Sequence, residues 1–138
     1  MYEYKATVTR VIDGDTIDVD IQLGFDVVLS KQRIRLYGID TPESRTRNKE
    51  EKVRGLLSKD HLRDICYKGS TIRLQSKERG KFGRILGVIY SEDNPISINQ
   101  RLCEEGFAVP YFGGSKDGLE ELHMINKQKL IDNGLLEE

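Results

Sequence analysis

The stretch that decides the fold alternates apolar and polar side chains over seven residues, Ile17-Asp18-Val19-Asp20-Ile21-Gln22-Leu23. Successive side chains of a β-strand point to opposite faces of a sheet, so this period of two predicts a strand with one buried and one wet face. Gly24 ends the strand, and residues 25–30 are expected to form an extended continuation or a turn. The chain is therefore expected to build its core from β-strands.

Further strands are predicted on both sides of this stretch. Residues 4–12 are rich in β-formers and lead into the turn Asp13-Gly14-Asp15. Residues 33–38 predict a third strand, which we expect Pro42 to end because proline cannot donate a hydrogen bond to a ladder. A basic, glycine-bearing loop is expected over residues 76–83. It would separate two more predicted strands, at residues 71–74 and 85–90.

Apolar residues spaced three and four apart predict helices over residues 50–67, about 98–106 and 119–134. The order is then three strands, a helix, two strands, a helix, a short extended piece and a helix. A small barrel with a helix between its third and fourth strands has this order. We predict an α+β fold, a five-stranded OB-fold β-barrel with about three α-helices, as one domain over residues 1–138. Gly38 and Gly87 are expected at tight bends of the barrel.

The charge of the chain is strongly segregated. Residues 31–90 hold 16 basic and 7 acidic side chains, although the whole chain has a net charge of −1. The segments before and after are both acidic. A basic middle segment favours phosphate binding over a merely solvated surface.

Hydropathy, the N-terminal sequence and the cysteines indicate the environment in which the protein is expected. No apolar run approaches the ~20 residues of a membrane span, and the N-terminus lacks a basic-then-apolar signal sequence. We therefore expect an intracellular, monomeric protein without membrane contact, or a secreted form whose signal has been removed. Cys66 and Cys103 lie among apolar helical residues and are expected to be buried, reduced thiols.

Four carboxylates lie at two predicted strand ends, and they are Asp13, Asp15, Asp40 and Glu43. If the first three strands form a meander, both ends meet at one rim, where the acids repel unless a cation lies among them. Oxygen ligands suit Ca²⁺ or Mg²⁺, and the lack of clustered His and Cys argues against zinc. Taken alone, each acidic segment also fits an ordinary turn or a strand-to-loop corner.

Two arginines complement the acids. Arg35 and Arg84 carry planar guanidinium groups that bind phosphate at two points and stay protonated. Cleavage of a phosphodiester builds negative charge at phosphorus, which fixed guanidinium groups stabilise. A carboxylate such as Glu43 can hold or deprotonate the attacking water. Taken alone, each arginine fits a surface salt bridge.

Three sequence blocks resemble the signature of the staphylococcal nuclease (thermonuclease) family. They are residues 11–16, 35–43 and 81–84, in the family's order and at similar spacing. Gly106-Phe107-Ala108 is similar to the family's later Gly-Leu-Ala segment. The resemblance covers about residues 5–130 and implies an OB-fold barrel with three helices. It also implies Ca²⁺-dependent cleavage of DNA and RNA to products that end in 3′-phosphate and 5′-hydroxyl.

The resemblance also implies a role for each matching residue. Asp15, Asp40 and the backbone carbonyl of Thr41 would hold Ca²⁺, with Mg²⁺ or Mn²⁺ as alternatives, and Asp13 would reach the metal through water. Arg35 and Arg84 would bind the phosphate and stabilise the transition state, and Glu43 would activate water. Substrate contacts would come from Lys81, Phe82 and Tyr111.

The chain departs from the family pattern in three places. Phe82 replaces a tyrosine, Gly80 replaces an acid, and Tyr111 is the one match to a later tyrosine pair. These departures affect substrate affinity more than the chemistry. A second hypothesis is a non-catalytic OB-fold module that binds nucleic acid or protein. The retained acids favour the enzyme, because acids without a metal would repel phosphate.

Overall fold

The computed structural model describes residues 2–79 and 83–137, which form seven strands and three helices. The strands are β1 (Glu3–Asp13), β2 (Thr16–Gly24), β3 (Val27–Leu36), β4 (Ile39–Asp40), β5 (Thr71–Arg79), β6 (Ile85–Ser91) and β7 (Val109–Pro110). The helices are α1 (Lys49–Ile65), α2 (Ile98–Glu104) and α3 (Leu119–Asp132). No helix within the described ranges is long and apolar enough to cross a membrane.

Five of the described strands close into a barrel in the order β1-β2-β3-β6-β5. The first three form an antiparallel meander, β5 and β6 are antiparallel, and β5 closes the barrel against β1. β3 and β6 run parallel, with Ile34 opposite Ile85. Helix α1 lies in the chain between the third and fourth barrel strands. The predicted α+β fold with an OB-type barrel and three helices is confirmed.

The alternation in β2 gives the barrel its interior. Ile17, Val19 and Ile21 are at most 3% exposed, while the polar residues between them are only half-buried. Burial of these branched side chains removes apolar surface from water, which is the main favourable term in folding. The other barrel strands and the three helices contribute further core residues, among them Val8, Ile34, Leu36, Ile72, Leu74, Ile89, Leu62, Leu102 and Leu130.

Two predicted strand boundaries are wrong. β3 ends at Leu36, well before Pro42, because Gly38 adopts a φ of +79° and turns the chain first. β5 continues to Arg79, into the stretch predicted as a loop. The added length is stabilised by pairing with β6, where Arg79 lies opposite Ile85. The two errors have different causes, which are a glycine turn at the end of β3 and strand pairing at the end of β5.

A small ribbon lies outside the barrel and was predicted only as a short extended piece. β4 and β7 pair antiparallel, with Ile39 opposite Pro110 and Asp40 opposite Val109. Each strand has two residues, too few to show a period. The ribbon matters because it fixes the backbone of Asp40.

Two smaller expectations have mixed outcomes. Gly38 lies in a turn as predicted, but Gly87 lies inside β6, where an added Cβ would be 2.6 Å from Leu74 Cδ1. Gly87 is therefore needed for close packing. Both cysteines are free thiols as expected, but Cys66 is buried whereas Cys103 is only half-buried. Burial raises the pKa of Cys66 to about 12 and that of Cys103 to about 11. Such thiols stay protonated and unreactive at neutral pH.

Candidate active site

The predicted functional residues meet in one cleft at the rim of the barrel, with a volume of about 1050 Å³. Eight of the ten line it: Asp13, Asp15, Arg35, Asp40, Thr41, Glu43, Arg84 and Tyr111. Lys81 and Phe82, like Gly80, lie outside the described residues. Residues distant in sequence are brought together because the β1–β2 turn and the end of β3 lie at the same rim.

The β1–β2 turn is fixed against both β3 and α1. Thr16 Oγ1 donates to Asp15 Oδ1 at 3.0 Å, and the Leu36 backbone N–H donates to the Asp15 carbonyl at 2.8 Å. Gly14 lies so close to α1 that an added Cβ would be 2.8 Å from Ser58 Cβ. Asp15 therefore lies beside the end of β3, where Arg35 is located.

Arg35 joins the carboxylates of the two acidic segments. Its Nη2 lies 3.3 Å from Asp15 Oδ2 and 3.6 Å from Asp40 Oδ1, and its Nη1 donates to the Leu36 carbonyl at 3.0 Å. The side chain is only 16% exposed. The guanidinium group is thus hydrogen-bonded to the carbonyl of the next residue and lies between two carboxylates. Arg84 lines the same cleft.

Asp40 is buried and has different partners on its two carboxylate oxygens. Oδ2 lies 3.0 Å from His123 Nε2, and Oδ1 lies 3.4 Å from Lys116 Nζ. Burial alone would raise the pKa of Asp40, but the hydrogen bond from His123 and the charge of Lys116 outweigh it and lower the pKa below its ordinary value. The structure therefore keeps Asp40 ionised.

Glu43 lies on an exposed loop that is fixed by α1. Its backbone N–H donates to Glu51 Oε2 at 3.0 Å. Gly55 on the same helix approaches the loop so closely that an added Cβ would be 2.3 Å from the Glu43 carbonyl oxygen. The next residue, Ser44, is buried and donates its hydroxyl to Asp13 Oδ1. The position of Glu43 is therefore defined by backbone contacts on both sides.

The carboxylate of Glu43 experiences the negative charge of its neighbours. Burial raises its pKa first, and the charges of Asp15, Asp13 and Asp40 raise it further. Among the residues that the structure describes, no hydrogen-bond or ion-pair partner is found for this carboxylate. Glu43 is thus an accessible carboxylate with a raised affinity for a proton.

The cleft is lined by carboxylate oxygens of the kind that bind divalent cations. After burial, the charges of Asp15, Asp13 and Asp40 raise the pKa of Glu43, and a cation among these carboxylates would reduce that effect. Within residues 2–79 and 83–137, no group of three His, Cys, Asp or Glu side chains is arranged to hold a metal. The predicted ligand set needs only two carboxylates, from Asp15 and Asp40, and the carbonyl of Thr41. Carboxylate and carbonyl oxygens are ligands that Ca²⁺ accepts.

Aromatic side chains form another part of the cleft. The Tyr111 backbone N–H donates to the Gly38 carbonyl at 2.8 Å, and its hydroxyl donates to the Gly114 carbonyl at 2.7 Å. Phe112 is 75% exposed, and its ring centroid lies 5.7 Å from that of Tyr37 in an edge contact. Tyr111 is thus held in the cleft, and Phe112 presents more open aromatic surface.

Three residues that contact the predicted site were missed from sequence. They are Ser44, Lys116 and His123, which contact Asp13 or Asp40. His123 lies in a predicted helix, where its residue type alone fits a packing or surface role. It is 83 positions from Asp40 in sequence, so no local pattern indicates their contact.

Comparisons with known proteins identify the family of this chain. A model of the staphylococcal nuclease homologue family matches residues 33–131. The chain is 30% identical over 118 residues to micrococcal nuclease of Shigella flexneri, covering 79% of this chain and 59% of that protein. It is 30% identical over 111 residues to thermonuclease of Staphylococcus hyicus, with coverages of 80% and 61%. It is 31% identical over 126 residues to endonuclease YhcR of Bacillus subtilis, with coverages of 86% and 10%.

The chain spans less than two thirds of the length of each of these relatives. The family model, by contrast, covers more than half of the chain and includes Arg35, Asp40, Glu43 and Arg84. The protein therefore belongs to the staphylococcal nuclease homologue family.

Proposed function

We propose that this protein is a Ca²⁺-dependent phosphodiesterase that hydrolyses DNA, RNA or both to products ending in 3′-phosphate and 5′-hydroxyl. The observation that carries the proposal is the position of Arg35, whose Nη2 lies 3.3 Å from Asp15 and 3.6 Å from Asp40 in the cleft that also holds Glu43 and Arg84. The residues that we assign to the cation, to the phosphate and to the base therefore line one cleft. Because these residues belong to one chain, we also propose that a monomer suffices.

The proposed cation ligands are Asp15, Asp40 and the carbonyl of Thr41, with Asp13 linked through water. Bound there, Ca²⁺ would act as a Lewis acid on the phosphate, and Mg²⁺ or Mn²⁺ would be alternatives. Ca²⁺ suits the site better because it tolerates irregular sets of oxygen ligands, whereas Mg²⁺ demands near-octahedral geometry. Thr41 is 4% exposed and lines the cleft, so its backbone is firmly placed.

The arginines supply the electrostatic part of the reaction. When water attacks, negative charge grows on the non-bridging oxygens of the phosphate. Arg35 is oriented before substrate binds, because its Nη1 is hydrogen-bonded to the Leu36 carbonyl. Guanidinium groups already aimed at the developing charge need little reorganisation. We assign Arg35 and Arg84 to the phosphate and its transition state.

Glu43 is the proposed base. Its carboxylate is exposed to the cleft, and its raised pKa increases its tendency to take a proton from water. The water oxygen bonds to phosphorus, Glu43 accepts the water proton, and the bond from phosphorus to the 5′ oxygen breaks. The 5′ oxygen then takes a proton from solvent. Products with 3′-phosphate and 5′-hydroxyl ends follow from this direction of cleavage.

The alternative is a binding module without catalysis. An OB-type barrel with a basic middle segment can bind nucleic acid without cutting it. The acids oppose this alternative, because their mutual repulsion at Glu43 would extend to the phosphates of a ligand. No observation in the cleft favours binding alone.

The proposal is tested by the fate of end-labelled single-stranded DNA and RNA incubated with the protein and Ca²⁺. We expect shorter products whose 3′ ends lose phosphate to a phosphatase and whose 5′ ends accept phosphate from a kinase. Products with 5′-phosphate ends would contradict the direction of cleavage. Binding without cleavage would support the non-catalytic module instead.

Helix α1 holds the backbone of Glu43 in place through the close approach of Gly55. Gly55→Ala should lower kcat by roughly 10²-fold, because a Cβ 2.3 Å from the Glu43 carbonyl would displace the loop and misplace the base. The control is Leu56→Ala on the same helix, where the side chain is 40% exposed and does not line the cleft. Thermal unfolding of both variants separates loss of function from loss of fold. An unchanged kcat in Gly55→Ala would show that the loop need not be held there.

The rate of cleavage should depend on pH through Glu43. The rate at sub-saturating Ca²⁺ should fall as pH decreases, with the loss beginning above the ordinary range of a glutamate, because the pKa of Glu43 is raised. The lowered pKa of Asp40 keeps that group ionised over the same range. Raising Ca²⁺ should move the acid limb to lower pH, since a cation relieves the repulsion. The measurement is kcat/KM from about pH 4 to 9, and a limb unchanged by Ca²⁺ or by Glu43→Gln would contradict the assignment.

A further inference from the structure

A buried histidine lies behind the proposed cation site. His123 on α3 is 8% exposed, and its Nε2 lies 3.0 Å from Asp40 Oδ2. The described residues that line the cleft include Asp40 but not His123. The histidine therefore reaches the cleft only through the carboxylate.

Asp40 and His123 lie on elements of the fold that are bonded to each other. Asp40 belongs to the β4–β7 ribbon, where it lies opposite Val109. Helix α3 is joined to the same segment, because Asn126 Nδ2 donates to the Ala108 carbonyl at 2.8 Å. The contact from His123 to Asp40 thus links two elements that are already fastened to each other, and it is defined by the fold.

The two oxygen atoms of the Asp40 carboxylate have different partners. Oδ2 is bonded to His123, whereas Oδ1 is near the cleft cations, 3.4 Å from Lys116 Nζ and 3.6 Å from Arg35 Nη2. His123 Nδ1 is buried and has no hydrogen-bond partner among the described residues. A proton on Nδ1 would be a buried, unsatisfied donor, so the proton belongs on Nε2, where it is donated to Asp40.

We propose that His123 is a positioning residue for the cation site. Its Nε2–H holds Oδ2 of Asp40 and thereby fixes the rotation of the carboxylate, so that Oδ1 is presented to the divalent cation. Groups that orient a ligand in this way strengthen metal binding without touching the metal. The inference rests on the proposed function, since it needs Asp40 to bind a cation. It assigns His123 no part in proton transfer to substrate.

The test is calorimetric titration of Ca²⁺ into the protein without nucleic acid. His123→Leu should weaken Ca²⁺ binding about ten- to a hundredfold, because Oδ2 loses its donor. His123→Gln should stay within about threefold of the wild type, since its amide can donate from nearly the same place. His61→Gln is the control, because His61 stacks on Phe107 with a centroid distance of 4.0 Å and does not line the cleft.

The outcomes separate this inference from the proposed function. If the wild type binds no Ca²⁺, the proposed function fails and the inference fails with it. If the wild type binds and His123→Leu binds equally well, the inference alone is wrong.

A second readout does not depend on the folding of any variant. The chain has two histidines, so a proton–nitrogen NMR spectrum of the imidazole rings holds two spin systems. We expect the proton of His123 on Nε2, and ring signals that move when Ca²⁺ is added while those of His61 stay. A proton on Nδ1, or no response to Ca²⁺, would overturn the proposal.

Discussion

Replacing Glu43 by glutamine should lower kcat for phosphodiester hydrolysis by about 10²- to 10⁴-fold, which is the usual contribution of a positioned base. The amide keeps the size of the side chain but cannot accept a proton from water. The fold should survive, because the loop is held by the Glu43 backbone N–H and not by its carboxylate. The measurement is the single-turnover rate at saturating Ca²⁺. The control is Glu92→Gln, the same change at an exposed position outside the cleft.

The stability of Glu43→Gln gives an independent check on the charge distribution. A folded-state pKa above the ordinary value means that ionisation of Glu43 disfavours the native state at neutral pH. Removing the charge should therefore leave the free energy of unfolding unchanged or slightly higher. A rate close to that of the wild type in this variant would remove Glu43 from the catalytic assignment.

Replacing Arg35 by lysine should lower kcat by about 10²- to 10³-fold, the typical cost of losing one fixed donor at a developing oxyanion. Lysine keeps the positive charge but loses the planar group that contacts the Leu36 carbonyl, Asp15 and Asp40 together. We therefore expect the geometry of the phosphate site to be lost while the net charge of the cleft is retained. The rate is to be measured at saturating substrate, so that weaker binding does not enter.

Arg33→Lys is the matched control for Arg35→Lys. Arg33 lies two positions earlier in β3, where it pairs with Asp18 at 2.9 Å and has a side chain that is 48% exposed. Loss of such a surface contact should change the free energy of unfolding by at most about 1 kcal/mol and leave kcat unchanged. An unchanged kcat in Arg35→Lys would mean that Arg35 acts only through its positive charge, which lysine retains. Equal losses of kcat in the two variants would mean that the loss does not arise at the phosphate site.

The barrel could be predicted from sequence because its strands are long enough to show a period. The alternation predicts buried apolar side chains at Ile17, Val19 and Ile21, as observed, whereas Leu23 at the end of β2 is 45% exposed. The ends of β3 and β5 could not be predicted, since they depend on the Gly38 turn and on pairing with β6. The β4–β7 ribbon was missed because two residues per strand carry no periodic signal.

The candidate site, like the fold, could be predicted from the sequence only in part. The predicted residues that the structure describes share one cleft, because a strand meander brings the β1–β2 turn and the end of β3 to one rim. His123 and Lys116 reach Asp40 only through the packing of the C-terminal segment. Such contacts span most of the chain, and neither residue type at those positions has a local pattern that indicates them. Only the folded chain brings these residues together.

The central claim is that a divalent cation at Asp15 and Asp40 enables hydrolysis at the adjoining phosphate site. It is tested most directly by the initial rate of cleavage of a fluorescent single-stranded oligonucleotide as free Ca²⁺ is raised from a chelator-buffered zero. We predict no cleavage in the chelator, a saturable rise with Ca²⁺ and full loss when the chelator is added back. Cleavage that persists in excess chelator, or no cleavage at any Ca²⁺ concentration while the oligonucleotide stays bound, would contradict the claim.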